Sequence, residues 1–151
     1  MPRSLIIDTN LLILLAVDYC DKSKIGHAPR VAEFEPEHFD MLIDYTSNFE
    51  RIILCPNILT ETSNLLAKFK GELGIKLRHW IKQLVAMHDE RYIASREAAS
   101  EADYLRLGLT DAVLLALCKN DVTLIATDHN LYQAALNKYQ KAINFWHLLK
   151  M

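Results

Sequence analysis

The sequence predicts an α/β fold of three layers, α/β/α, with a mostly parallel central sheet. Short apolar runs of strand type recur at 4–7, 51–55 and 123–126. Each is followed by a longer stretch whose apolar residues recur at helical spacing. The runs are apolar without alternation, the pattern of strands covered on both faces. Strands that alternate with helices form parallel sheets with helices on both sides.

The elements can be taken in order. Ser4-Leu5-Ile6-Ile7 is the first buried strand, ending at Asp8-Thr9-Asn10, and a helix runs from about 11 to 19. Residues 20–38 contain Gly26, Pro29 and Pro36 with mixed charge and read as a surface excursion, a flap or a contact surface. Helical spacing at 37–49 sets Phe39, Leu42, Ile43 and Phe49 on one side. The strand at 51–55 leads to Pro56, which suits the first turn of a helix because its missing N–H is unused there. That helix extends to Phe69, with Gly71 as its C′ residue, and another spans about 73–88. Arg91-Tyr92-Ile93 suggests a short strand and 96–107 a helix. Thr110 fits an N-cap for a helix at 111–119. A strand at 123–126, a helix at 131–138 and a last strand at 142–145 complete the chain. No repeat or low-complexity tract occurs.

At 151 residues the chain fits one domain, 1–151, able to bury about two-thirds of its unfolded surface. Apolar residues make up 51% and charged residues 24%, which argues against disorder. A net charge of −2 says little: it does not suggest a nucleic-acid binder held by bulk charge alone, nor does it exclude one with a local basic patch. The cysteines, Cys20, Cys55 and Cys118, have no paired spacing and read as reduced thiols. The N-terminal apolar run is interrupted by Asp8 and Asn10 and is too short to cross a bilayer. The expectation is a soluble, cytoplasmic protein with no membrane partner.

In open parallel sheets, ligands bind beyond the carboxyl ends of the strands. Acids stand at that edge. Asp8 follows the first strand, Glu61 lies in the second turn after the strand at 51–55, Asp111 begins its helix, and Asp128 follows the strand at 123–126. Each has a bland reading: Asp8 as a turn residue, Asp111 as a helix-dipole charge, Asp128 with Asn130 as an Asx turn. Glu61 is flanked by Leu59, Leu65 and Leu66, so a solvated face is not its only option. Jointly they point to a cation, because clustered carboxylates raise one another's pKa. No His- or Cys-rich spacing suggests zinc, while an all-oxygen set suits Mg²⁺ or Mn²⁺. Such an ion positions a water, lowers its pKa and neutralises charge on a phosphoryl oxygen.

These residues resemble the PIN-domain nucleases, especially the VapC-type toxins of toxin–antitoxin pairs. The resemblance is carried by Leu5-Ile6-Ile7-Asp8-Thr9-Asn10 and Pro56-Asn57-Ile58-Leu59-Thr60-Glu61. It continues in Leu109-Thr110-Asp111-Ala112-Val113-Leu114-Leu115-Ala116 and Leu124-Ile125-Ala126-Thr127-Asp128. It implies a PIN-like fold and a Mg²⁺- or Mn²⁺-dependent ribonuclease with Asp8, Glu61, Asp111 and Asp128 as catalytic metal ligands. Thr9 or Asn10 would orient Asp8 or contact phosphate. It also implies an antitoxin that covers the site, and often a homodimer. The family often has Thr two residues before its last Asp; here Ala126 stands there, and Thr127 is its substitute.

Lys68, Lys70, Lys76, Arg78 and Lys82 face a single acid, Glu72, and could steer RNA. Trp80 among them could stack a base, but its spacing with Leu73, Leu77, Leu84 and Met87 is that of a core face. His129 could exchange a proton, although a surface histidine in a turn is the commoner case. Two other functions compete. A haloacid-dehalogenase-like phosphatase needs a second Asp two residues after the first, where this chain has Asn10. A non-catalytic PIN-fold binding module would keep the fold and lose turnover. A third reading is a divalent ion held for structure alone.

Overall fold

A computed structural model describes residues 3–150; the outermost residues of the expected 1–151 domain lie outside the described residues. The sheet has five strands, all paired in parallel. These are β1 (Ser4–Ile7), β2 (Arg51–Leu54), β3 (Asp89–Glu90), β4 (Val122–Ala126) and β5 (Ala142–Asn144). Their order is β3-β2-β1-β4-β5, so the direction of winding reverses between β1 and β4. β1 is buried at every position, as a central strand of a doubly covered sheet must be. The edge strand β3 is exposed and acidic, which discourages pairing with another chain.

Helices cover both faces. α1 (Thr9–Cys20) lies against α2 (Pro36–Thr46), α3 (Pro56–Leu66) and α4 (Gly71–Met87). α7 (Leu109–Lys119) lies against α5 (Ser95–Ala98), α6 (Tyr104–Leu107) and α8 (His129–Tyr139). α1 is apolar all round and buried from Leu11 to Val17, the pattern of a helix enclosed by its neighbours. The expected α/β/α layering with a parallel sheet is therefore the observed one. No helix among the described residues is long and apolar enough to cross a membrane.

Several local expectations give way to tertiary contacts. α1 begins at Thr9, two residues early, because Asp8 caps it. α3 ends at Leu66, and Gly71, expected to close that helix, instead opens α4. The third strand lies at Asp89–Glu90 and not at 91–93; only the Arg91 amide extends its ladder, donating to Leu54 O at 2.8 Å. The predicted helix at 96–107 breaks into α5 and α6. Between them Ser100 Oγ donates to Glu97 O, and Lys138 of α8 binds Glu101 and Asp103 at 3.6 and 3.3 Å. Thr110 is not an N-cap. α7 starts at Leu109 behind Gly108, whose φ of 92° suits glycine.

The stretch at 20–38 is more than a surface excursion. It contains a 3₁₀ turn, Lys22–Lys24, and buries Ile25, Val31 and Phe34. The Phe34 ring stacks on Trp146, with centroids 5.5 Å apart, and thereby fastens the C-terminal 3₁₀ segment Phe145–Lys150 to the helical layer. Cys55 and Cys118 are buried and Cys20 half-buried; all three are free.

Gly74 marks the closest backbone approach. A Cβ there would run into the carbonyl oxygen of Phe69, in the turn between α3 and α4. Alanine gains about 1 kcal/mol of helix propensity over glycine, while overpacking against backbone costs about 1–3 kcal/mol. Gly74→Ala is expected to lower the urea midpoint of unfolding; an equal or higher midpoint would mean that the turn yields freely.

Candidate metal centre

Asp8 stands at the point where the sheet reverses its winding, the usual ligand crevice of open parallel sheets. Its backbone is held on three sides. The Asp8 amide donates to Ile125 O at 3.0 Å, which continues the β1–β4 ladder. The Asp8 carbonyl accepts from the Leu11 and Leu12 amides at 3.1 and 3.0 Å, starting α1. Its side chain accepts from the Thr9 amide at 2.8 Å. Only 9% of the residue is exposed.

The other acids arrive on separate elements. Glu61 is on α3, whose Ile58, Thr62 and Leu66 face the core. That leaves Asn57, Thr60, Glu61 and Asn64, at i, i+3, i+4 and i+7, as the opposite polar stripe. Glu61 is thus exposed on that stripe and not enclosed by Leu59 and Leu65. Asp111 is half-buried in the first turn of α7. Asp128 follows β4 and caps α8, its carboxylate accepting from the Leu131 amide at 2.9 Å. Asn10 Nδ2 donates to Thr127 Oγ1 at 3.3 Å, so the ends of β1 and β4 are also joined through side chains.

These four carboxylates share one field. Burial, followed by the charges of Asp111, Glu61 and Asp128, raises the Asp8 carboxyl to about 7 against the pull of the Thr9 amide. Burial, followed by Asp128 and Glu61, raises Asp111 to about 6. They do not meet at coordination distance: among the described residues, no three Asp, Glu, His or Cys side chains are grouped closely enough to hold an ion. Repulsion acts over a longer range than a metal–oxygen bond, so both statements hold together. The donor chemistry nevertheless fits a hard cation. Every candidate donor is oxygen, and Glu61 is exposed and has rotamers with which to close inward. Two hydroxyls next in sequence to these acids, Thr9 Oγ1 beside Asp8 and Thr62 Oγ1 beside Glu61, are buried without hydrogen-bond partners.

The basic residues lie elsewhere. Lys68 and Lys70 are exposed in the turn between α3 and α4, and Lys76, Arg78 and Lys82 are exposed on α4. Lys76 shares a surface groove with Tyr19 and Cys20, at the C-terminal end of α1. A helix of 12 residues is about 18 Å long, so Lys76 is at the far end of α1 from Asp8. Trp80 is half-buried against the core, and His129 is exposed at the start of α8.

A polar cleft of about 500 Å³ adjoins the acids, bounded by the α3 stripe, Tyr92, Ser95 and Thr110. Apart from Glu61, its members had not stood out in the sequence as site residues. The i, i+3, i+4, i+7 polar stripe on α3 was the available signal. No protein-family model matches the chain, and no curated protein matches it.

The raised carboxyls make stability depend on pH with a definite sign. An Asp8 carboxyl raised from 3.8 to about 7 keeps its proton in the folded state while the unfolded chain has lost it. The folded chain then binds more protons, so stability falls as pH rises from about 4 to about 7 and levels off above. The loss attributable to Asp8 is about 4 kcal/mol. In EDTA, Asp8→Asn is expected to raise Tm at pH 8 by several degrees and to flatten the decline. Identical pH profiles of Tm for the variant and the unmodified chain would refute the buried charge.

Proposed function

We propose that the protein is a metal-dependent ribonuclease of the PIN-like kind, cutting RNA phosphodiester bonds at the acidic edge of the sheet. The observation that supports this best is Asp8, a carboxylate buried at the winding reversal and repelled by Asp111, Glu61 and Asp128. A protein that pays this electrostatic cost has a use for a cation there.

In this reading Asp8, Glu61, Asp111 and Asp128 hold Mg²⁺ or Mn²⁺. Such an ion, when bound, supplies an activated water and neutralises charge on the phosphoryl group. The chain's own residues do the positioning. The Thr9 amide fixes one oxygen of Asp8, and the Leu131 amide fixes one oxygen of Asp128. The Asn10–Thr127 bond sets the spacing of the two strand ends that carry them. Held this way, ligands lose little rotamer freedom on binding an ion. The basic residues of α4 would guide RNA from a distance, since Lys76 does not adjoin the acids. By its resemblance to VapC-type toxins, the protein would act as the toxin of a toxin–antitoxin pair in the cytoplasm. An antitoxin would cover the acidic edge, and a second copy of the chain would form a homodimer.

The test is incubation of purified protein with structured and unstructured RNAs in Mn²⁺ or Mg²⁺, with EDTA as control. Cleavage should require the metal, and Asp8→Asn should lower it by about two orders of magnitude or more while folding normally. Cleavage by Asp8→Asn at the unmodified rate would remove Asp8 from the mechanism. Failure to cut any RNA with metal present would favour a non-catalytic binding module.

A further inference from the structure

We propose that the cleft beside the acids seats the unpaired base of a single-stranded nucleotide, stacked on Tyr92. The cleft, at about 500 Å³, is within the usual size of small-ligand sites. Tyr92 stands at its side and is 75% exposed. The backbone that presents this ring is firm, because the preceding Arg91 amide closes the β2–β3 ladder on Leu54 O at 2.8 Å. An aromatic ring on a firm backbone, left in water, offers a stacking face for a base, whichever base it is.

The charge of the lining decides which part of a nucleotide enters. Glu61 is the single charged residue among those lining the cleft. A phosphate there would be repelled, whereas the side-chain amides of Asn57 and Asn64 and the hydroxyl of Thr60 can bond base edges and ribose hydroxyls. Thr110 also lines the cleft and precedes Asp111 in the chain, so a base seated there brings its own phosphate to the acidic edge. A base stacked inside a duplex cannot reach Tyr92, so single strands are selected. The identity of the substrate as RNA rests on the ribonuclease reading above; base binding in the cleft does not.

The test therefore uses probes without phosphate. Adenosine and uridine are titrated into the ¹⁵N-labelled full chain in EDTA and followed by amide chemical shifts. Shifts are expected at 57–64, 92–95 and 110, with Tyr92→Phe binding like the unmodified chain and Tyr92→Ala about tenfold more weakly. Ribose 5-phosphate should leave those amides unmoved. No nucleoside-induced shifts in this region, or equal affinity in Tyr92→Ala, overturns the proposal. A protein that binds nucleosides here but cuts no RNA keeps the base site and loses the ribonuclease reading. One that cuts RNA without binding nucleosides keeps that reading and loses the base site.

Discussion

The Asp8 amide donates to Ile125 while its carbonyl receives the amides of Leu11 and Leu12, and the rest of the molecule is arranged around those bonds. They join the central strand to its neighbour across the winding reversal and start the enclosed helix α1 in the same residue. The geometry leaves the residue only 9% exposed to water. A carboxylate is thereby fixed in a poorly hydrated place, with other acids close enough to raise its pKa.

The core can sustain that charge. Burying one leucine side chain stabilises a fold by about 1.5–3 kcal/mol, so two or three of them offset the ionised Asp8. α1 alone buries Leu11, Leu12, Ile13 and Leu14 completely or nearly so. The arm at 20–38 adds Ile25, Val31 and Phe34, and its stacking on Trp146 draws the C-terminal segment into the same cluster. Apolar packing dominates the balance, and the acidic edge draws on part of its surplus.

The acids of the sheet edge and Lys76 of α4 lie at opposite ends of α1. Arg78 and Lys82 share α4 with Lys76 and are exposed. The acids at the strand ends exclude phosphate unless a cation intervenes. The cleft between α3 and Tyr92, with Glu61 as its one charged lining residue, offers mainly uncharged polar groups. On the proposed reading, attraction of RNA would be long-range and contact at the acidic edge conditional on an ion.

Much of this was legible in the residues. The apolar runs of β1, β2 and β4 and the helical spacing after each determined the layering, because periodicity alone tells a strand buried on both faces from an exposed one. The acids at the strand ends were readable for the same reason, since position relative to a strand is a property of the sequence. Other features depended on partners distant in the chain. Ser100 to Asp103 lost their helix to Lys138 and Tyr139, Gly71 opened a helix whose Gly74 packs against the Phe69 backbone, and Phe34 found its place only against Trp146. Spacing between the acids was equally out of reach of the sequence. By itself, the sequence determined that Asp8, Glu61, Asp111 and Asp128 share one sheet edge. Only the tertiary structure decided that they share a field without three of them closing to ligand distance among the described residues, that Lys76 stands at the far end of α1, and that Tyr92 flanks a cleft beside Glu61. Those are distances between elements, which packing sets and local sequence does not.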